Sequence, residues 1–291
     1  MSVIAYAGNA GDRNARAMSG AVALGLRIAN DFNAAIDIVA SPAPVIEGGW
    51  VAQLQAATPN LRLLAAKVRT HLERDDRIVL TIGRCAAGIA TLPLISSKFP
   101  DAAIVWFDAH GDSNVPENLL TTDMSYLGGM VITGAAGKWE TGFGSGVNLA
   151  NVILVDARDL DPPEMARIEA GEIKLVSVGP GLAERLEQAI DGRRVYIHLD
   201  CDVLTAGLLA TEYQSPNGLS FDDLRGAYKM LAEHDVLGIE IAEFESCWLD
   251  GRPNRPDDLL SSIQPVMEAI TRIPVAIWIP SASVTPSLEA D

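Results

Sequence analysis

The sequence predicts an α/β protein in which helices cover both faces of a parallel β-sheet. Short segments rich in β-branched residues recur along the chain without polar–apolar alternation, as in strands that are buried on both faces. Stretches with the apolar spacing of helices separate these segments. The predicted strands are Val3–Tyr6, Ile36–Val39, Ile78–Ile82, Ile104–Phe107, Val152–Val155, Ile173–Val178, Val195–Leu199, Leu237–Ile241 and Val275–Trp278.

The helical segments and the lack of any linker indicate one domain over residues 1–291. Clear helical spacing occurs in Asn14–Asn30, Val51–Leu72, Phe221–Glu233 and Pro256–Arg272. No tandem repeat or low-complexity tract divides the sequence. The glycine-rich stretch Gly128–Gly146 is interpreted as a long loop and helix start near a functional site, because loops on a rigid scaffold often carry function.

The composition argues against several classes of protein. A formal net charge of −16 disfavours nucleic-acid binding, which needs a basic surface. Three scattered cysteines, Cys85, Cys201 and Cys247, argue against a disulfide framework. The N-terminus lacks the basic flank of a signal peptide, and no apolar run reaches the roughly 18 residues of a membrane span. We therefore predict a cytoplasmic protein with no membrane or nucleic-acid partner and with acidic clefts that attract cations.

The segment 105–114 carries the first candidate functional residues. An apolar strand runs directly into Asp108, His110 and Asp112, which are spaced two apart. In extended backbone this spacing directs the three side chains to one side. They follow the carboxyl end of a strand, where open α/β sheets bind ligands. For this segment alone, a solvated acidic loop is the alternative interpretation.

A second apolar strand ends in Asp200 and Asp202, again two residues apart. Several carboxylates can be buried together only if cations neutralise them, so the two strand ends predict a metal cluster. Four aspartates and one histidine offer enough donors for two divalent ions, and such a ligand set suits Mn²⁺ better than a softer ion. Two neighbouring ions would lower the pKa of a water molecule and supply hydroxide near neutral pH.

These two motifs resemble those of a known family. Trp106–Asp112 resembles the Asp-Ala-His-x-Asp signature of the arginase, agmatinase and formiminoglutamase superfamily, and His198–Asp202 resembles its Ser-x-Asp-x-Asp signature. The resemblance extends from Ile78 to about Glu245. It implies a three-layer α/β/α sandwich around a parallel sheet of about eight strands, two Mn²⁺ ions, a small guanidine-type substrate, and a homo-oligomer, either a trimer or a hexamer.

The resemblance also implies roles for residues outside the two signatures. Asp161 and Glu164 would recognise a substrate α-amino group, Asn114 its carboxylate, and Glu243 its guanidinium. Asp112 or its neighbours would orient the attacking hydroxide. The alternatives are a helix N-terminal cap for Asp161 and Glu164 and a solvated strand-end acid for Glu243.

Two positions depart from the family pattern. Cys85 replaces the last residue of the family's Gly-Gly-Asp-His segment, a metal-binding histidine, which predicts weaker binding of one ion or tolerance of another metal. A buried structural thiol is the alternative. Gly128 takes the place of a histidine that is thought to shuttle protons. His198, two residues before Asp200, is interpreted either as a proton carrier or group behind the metal ligands, or as a satisfied core histidine.

Both departures, together with Tyr126–Met130, Gly134–Trp139 and His198–Leu204, resemble one branch of the superfamily. This branch is the Nω-hydroxy-L-arginine amidinohydrolases, which release hydroxyurea and ornithine. An N-hydroxyguanidine is less basic than a guanidine, and in its neutral form it can approach a metal ion. Open space at Gly128 would admit the extra hydroxyl group. We therefore expect a metal-dependent amidinohydrolase that acts on Nω-hydroxy-L-arginine. The alternatives are an ordinary arginase, an agmatinase or guanidinobutyrase, and a catalytically weak binding or regulatory subunit.

Overall fold

The computed structural model describes residues 1–118 and 126–272, in which eight parallel strands form one sheet. The strands are β1 Ser2–Tyr6, β2 Ile36–Val39, β3 Ile78–Thr81, β4 Ala103–Phe107, β5 Val152–Val155, β6 Lys174–Val176, β7 Val195–Asp200 and β8 Val236–Ala242. Their order across the sheet is β2-β1-β3-β8-β7-β4-β5-β6. The predicted parallel sheet is confirmed, and each strand overlaps a predicted one. The ninth predicted strand, Val275–Trp278, lies outside the described residues.

Helices follow most of the strands, as expected of parallel strands that are joined by crossovers. The helices are α1 Arg16–Asp31, α2 Trp50–Glu73, α3 Gly88–Lys98, α4 Val131–Ala135, α5 Pro162–Glu169, α6 Leu182–Ile190, α7 Phe221–Leu231 and α8 Asp257–Thr271. A short 3₁₀ turn at Cys85–Ala87 lies between β3 and α3, and another at Cys201–Val203 follows β7 directly. Within residues 1–118 and 126–272, no helix combines the length and hydropathy that crossing a bilayer requires.

Two apolar clusters, one on each face of the sheet, hold the three layers together. One cluster packs the sheet against α1, α6, α7 and α8, and the other packs it against α2, α3 and α4. Along β4, Ile104 and Trp106 belong to one cluster, whereas Val105 and Phe107 belong to the other. Because both faces are buried, the strands carry no polar alternation. The three-layer α/β/α sandwich is therefore confirmed.

The four central strands, β3, β8, β7 and β4, end at the same edge of the sheet because they are parallel. The segment after β3 contains Arg84 and Cys85, and the one after β8 begins with Glu243. Asp200 ends β7, and Asp108 follows β4 directly. The sheet order thus brings together side chains that are far apart in the sequence.

Candidate metal and substrate site

A cavity of about 230 Å³ lies at this carboxyl edge of the sheet. It is lined by Cys85, His110, Asp112, Asn114, Tyr126, Gly129, Asp159, Asp161, Glu164, Asp200, Asp202, Tyr213 and Glu243. Nine of these residues were singled out in the sequence. Two further predicted site residues, Asp108 and His198, do not line the cavity but are buried directly behind residues that do.

The backbone after β4 departs from the extended geometry expected from the sequence. The strand ends at Phe107, and Asp108 Oδ1 accepts a hydrogen bond from the His110 amide at 2.7 Å. An aspartate that bonds the backbone two residues ahead forms a local turn in place of strand pairing. Asp112 then adopts a positive φ of 43°. The expectation of a continuous extended segment is wrong, and a turn gathers these side chains.

Two groups of side chains lie close enough to hold a cation. Asp108, His110 and Asp202 form one group, and Cys85, Asp108 and Asp200 form the other, with ligand atoms within 4.8 Å of one another in each. His110 Nδ1 lies 3.2 Å from an oxygen of Asp108 and 3.2 Å from an oxygen of Asp202. Because Asp108 belongs to both groups, the two groups lie side by side, and their residues could hold divalent cations.

The carboxylates of these groups are costly as anions unless cations lie beside them. Burial, followed by repulsion from neighbouring carboxylates, raises the pKa of Asp112 and of Asp200 well above the usual range. The same two causes raise the pKa of Asp202. Within the described part of the chain, Asp112 Oδ2 is buried without a hydrogen-bond partner. An orphaned buried acceptor beside clustered carboxylates fits the binding of divalent cations.

Cys85 lies within this cluster, and its Sγ donates to Asp200 Oδ2 at 2.9 Å. Burial, followed by the nearby aspartates, raises the pKa of the Cys85 thiol well above its usual value, so a thiolate here needs a cation beside it. Behind the sulfur, the fully buried His198 places Nε2 at 3.1 Å from Sγ and Nδ1 at 2.7 Å from Glu240 Oε1. His198 therefore contacts Cys85, and both of its ring nitrogens have partners.

Asp161 and Glu164 lie at the start of α5, and both line the cavity. Glu164 accepts from the Ser113 amide at 2.9 Å through Oε1 and from the Asp161 amide at 3.0 Å through Oε2. Asn114 Nδ2 donates to Asp161 Oδ2 at 2.8 Å. The capping interpretation and the substrate-binding interpretation are thus compatible, because Asp161 caps the helix beside the cavity and Glu164 fixes the loop around it.

Arg84 is a charged residue of the site that the sequence analysis overlooked. Its side chain is fully buried and forms an ion pair with Glu243, whose carboxylate lines the cavity. Burial raises the pKa of Glu243 to about 8, and the positive charge of Arg84 opposes this shift. A signal was present in the sequence, since Arg84 stands where the family's Gly-Gly-Asp-His segment has an aspartate, which is a reversal of charge.

The expectation of open space at Gly128 is wrong. A Cβ atom added there would overlap the ring of Tyr126, which fills the space where a larger side chain would lie. Gly129 is the glycine that lines the cavity, and a Cβ atom added to it would meet nothing within 4 Å. The phenol oxygen of Tyr126 is buried and has no hydrogen-bond partner among residues 1–118 and 126–272.

This packing predicts different effects for the same substitution at two adjacent glycines. Gly128→Ala is expected to lower the free energy of unfolding by about 1–3 kcal/mol, because the Tyr126 ring must move. Gly129→Ala is the matched control and is expected to change it by less than about 1 kcal/mol. Urea denaturation of the two variants measures the difference. Equal stability would show that the Tyr126 ring does not pack over Gly128.

Comparison with known proteins agrees with this geometry. A model of the arginase family matches residues 13–248. The chain is 30% identical over 246 residues to the Nω-hydroxy-L-arginine amidinohydrolase of Streptomyces lavendulae, a match that covers 84% of this chain and 89% of that protein. The fold is similar to that of the arginases of Entamoeba histolytica and Bacillus subtilis, with TM-scores of 0.77 and 0.75 at 17% and 18% identity. These matches cover 91% and 94% of this chain and 97% and 99% of the two arginases.

The fold, the acidic cavity and these relatives define the protein as a hydrolase that acts on amidines. The chain belongs to the arginase family. The resemblance inferred from the two aspartate motifs is therefore confirmed. The metal, the substrate and the roles of individual residues remain predictions.

Proposed function

We propose that the protein hydrolyses the N-hydroxyguanidine group of Nω-hydroxy-L-arginine to give hydroxyurea and ornithine, with two Mn²⁺ ions bound. The observation that supports this most directly is the position of Cys85, whose thiol lies among the buried aspartates at hydrogen-bonding distance from Asp200. The similarity to the amidinohydrolase of Streptomyces lavendulae points to the same substrate. In addition, Gly128 stands where the resemblance predicts a proton-shuttling histidine in arginases, and the Tyr126 ring fills the space beside this glycine.

The metal ligands in this proposal are the residues of the buried cluster. Oxygen and imidazole donors of this type bind Mn²⁺ well, whereas a thiolate suits it less, so the ion beside Cys85 is the weaker one. When bound, divalent ions supply an acidified water and stabilise developing negative charge. The proposed ligands are Cys85, Asp108, His110, Asp112, Asp200 and Asp202.

The protein's own groups hold the water and the substrate. Asp112 lines the cavity, and its Oδ2, which has no hydrogen-bond partner among the described residues, would accept a hydrogen bond from the attacking water. Glu243 would bind the nitrogens of the hydroxyguanidine, Asn114 the substrate carboxylate, and Asp161, supported by Glu164, the α-amino group. His198 contacts the sulfur of Cys85 and does not line the cavity. Its role in catalysis would therefore be to position Cys85.

A panel of four substrates tests the proposal. With Mn²⁺ added, we expect kcat/KM for Nω-hydroxy-L-arginine to exceed that for L-arginine by about 100-fold or more, because a neutral N-hydroxyguanidine can approach bound cations, whereas the guanidinium of arginine is repelled by them. Agmatine and 4-guanidinobutyrate should be poorer still, since each lacks one group that Asp161 or Asn114 would bind. Equal or better activity on agmatine would contradict the amino-acid substrate.

The substrate assay, combined with the metal content after dialysis, separates this enzyme from a catalytically weak binding or regulatory subunit. The purified protein should retain metal after dialysis and turn over at least one of the four compounds. Absence of both properties would favour the non-catalytic alternative. The assembly into a trimer or hexamer stays a prediction, which light scattering after size-exclusion chromatography tests. The cytoplasmic location also stays a prediction, which cell fractionation tests.

A further inference from the structure

Arg84 lies in a buried cluster of charges next to the cavity. Its side chain is fully buried, and it pairs with Glu243 and with Glu212. Its Nε lies 3.3 Å from Asp12 Oδ1, and its Nη2 lies 3.5 Å from Glu245 Oε1. A buried cation with carboxylates around it is held firmly, because removal of either partner leaves an uncompensated charge.

Glu243 differs from the other partners of Arg84 because its carboxylate also lines the cavity. Arg84 Nη1 donates a hydrogen bond to Glu243 Oε2, so a substrate would bind to the other oxygen of this carboxylate. Glu243 also has a positive φ of 61°, so its backbone is held in a conformation that a glutamate rarely adopts. The carboxylate that would bind a substrate guanidinium is thus already bound to a guanidinium of the protein.

We propose that Arg84 is a specificity-determining residue that disfavours cationic guanidinium groups and so selects the neutral N-hydroxyguanidine. A second guanidinium at Glu243 would lie beside Arg84, and placing like charges together at a buried site is costly. A neutral N-hydroxyguanidine would donate a hydrogen bond from an N–H group to Glu243 Oε1 without this repulsion. This inference rests on the proposed function, because it assigns Glu243 to the amidine end of the substrate.

The charged residues around Arg84 include a matched control for this charge. Arg16 also belongs to the cluster, with Nε at 2.8 Å from Glu245 Oε2, but it has no contact with Glu243 and its side chain is 27% exposed. Loss of Arg16 therefore removes a positive charge nearby without freeing the carboxylate in the cavity. A general electrostatic effect would appear in both variants, whereas the proposed contact effect would appear only at Arg84.

Two amino acids of similar shape isolate the charge of the ligand. L-Arginine carries a guanidinium, and L-citrulline carries a neutral ureido group in its place. In calorimetric titrations of the Mn²⁺-loaded protein, the wild type should bind citrulline at least as tightly as arginine. In Arg84→Met, the Kd of arginine should fall by about 10-fold to 100-fold, while the Kd of citrulline changes by less than about threefold. Arg84→Lys and Arg16→Met should resemble the wild type.

Because Arg84→Met leaves buried carboxylates without a partner, the double variant Arg84→Met/Asp12→Asn is measured beside it. This variant removes one positive and one negative charge and keeps the net charge of the cluster. An unchanged ratio of the two dissociation constants in the folded variants would overturn the inference, and so would tighter binding of arginine than of citrulline by the wild type. These titrations need no turnover, so their failure is distinguishable from a wild type that fails to hydrolyse Nω-hydroxy-L-arginine.

Discussion

Replacement of Asp200 by asparagine is expected to lower kcat/KM by about three orders of magnitude and, in the metal-free protein, to raise stability. Asp200 belongs to the group with Cys85 and Asp108, so the variant loses a charged ligand of one proposed ion. Loss of several kcal/mol of charge stabilisation in the reaction corresponds to a factor of about 10³ in rate. Metal analysis should show a lower content of Mn²⁺ in the variant.

The gain in stability follows from the pKa shift. Burial and the neighbouring carboxylates raise the pKa of Asp200 in the folded state, so the metal-free protein loses stability as the pH rises from the ordinary pKa of an unfolded aspartate up to that folded-state value. Asparagine has the same shape and carries no charge, so it removes this penalty near neutral pH. We expect a gain of about 1–3 kcal/mol in the free energy of unfolding without metal, measured by urea denaturation in the presence of a chelator.

Asp159→Asn is the matched control for metal content. Asp159 lines the same cavity but belongs to neither group of candidate ligands, and it is exposed. It should retain the metal content of the wild type and gain no stability. An Asp200→Asn variant with full metal content, or with lower stability than the metal-free wild type, would contradict the proposed cluster.

Much of the sheet is predictable from the sequence because the signal is local. A strand such as β4 is buried on both faces, so an uninterrupted run from Ala103 to Phe107 marks it without knowledge of its neighbours. The same holds for the aspartates, because Asp108 and Asp200 each stand at the end of such a run. What a single sequence does not contain is the order of the strands, since pairing depends on contacts between distant segments.

The strand order decides the parts of the site that were missed. Glu240 on β8 is the register partner of His198 on β7, and Trp106 on β4 is the register partner of His198 on its other side. The Trp106 and His198 rings stack with centroids 3.4 Å apart. Trp106, His198 and Glu240 thus form a buried row across β4, β7 and β8. Cys85, in the 3₁₀ turn that comes after β3, contacts His198 in this row. Arg84 likewise meets Glu243 only because β3 and β8 are neighbours in the sheet.

Replacement of Glu240 by alanine is expected to lower the free energy of unfolding by about 3–5 kcal/mol. Glu240 is fully buried and accepts hydrogen bonds from Thr91 Oγ1 at 2.7 Å and Tyr196 OH at 3.0 Å. Its other oxygen pairs with His198 Nδ1 at 2.7 Å. Truncation leaves Tyr196 OH and His198 Nδ1 without their partner and leaves Thr91 Oγ1 only a long contact of 3.4 Å to the Gly88 carbonyl. It also opens a void, and both effects destabilise the folded state.

The Glu240→Ala substitution should also weaken metal binding, because His198 loses the partner that orients its ring towards Cys85. We therefore expect weaker binding of the ion beside Cys85, by about 10-fold to 100-fold, as is common when a group that orients a ligand is lost. Titration of the variant with Mn²⁺ measures this dissociation constant, without denaturant and at a temperature at which the variant is folded. An unchanged affinity would show that the ring keeps its place through stacking on Trp106 alone.

A second histidine–glutamate pair in the same protein separates burial from pairing. His234 Nε2 lies 2.8 Å from Glu187 Oε2, but the Glu187 side chain is 51% exposed. Because exposed ion pairs contribute little, Glu187→Ala should lower the free energy of unfolding by less than about 1 kcal/mol. Equal losses in the two variants would mean that the partners of Glu240 find water or other acceptors. A large loss at Glu240 alone would show that the buried row across β4, β7 and β8 supports both the sheet and the cavity at its edge.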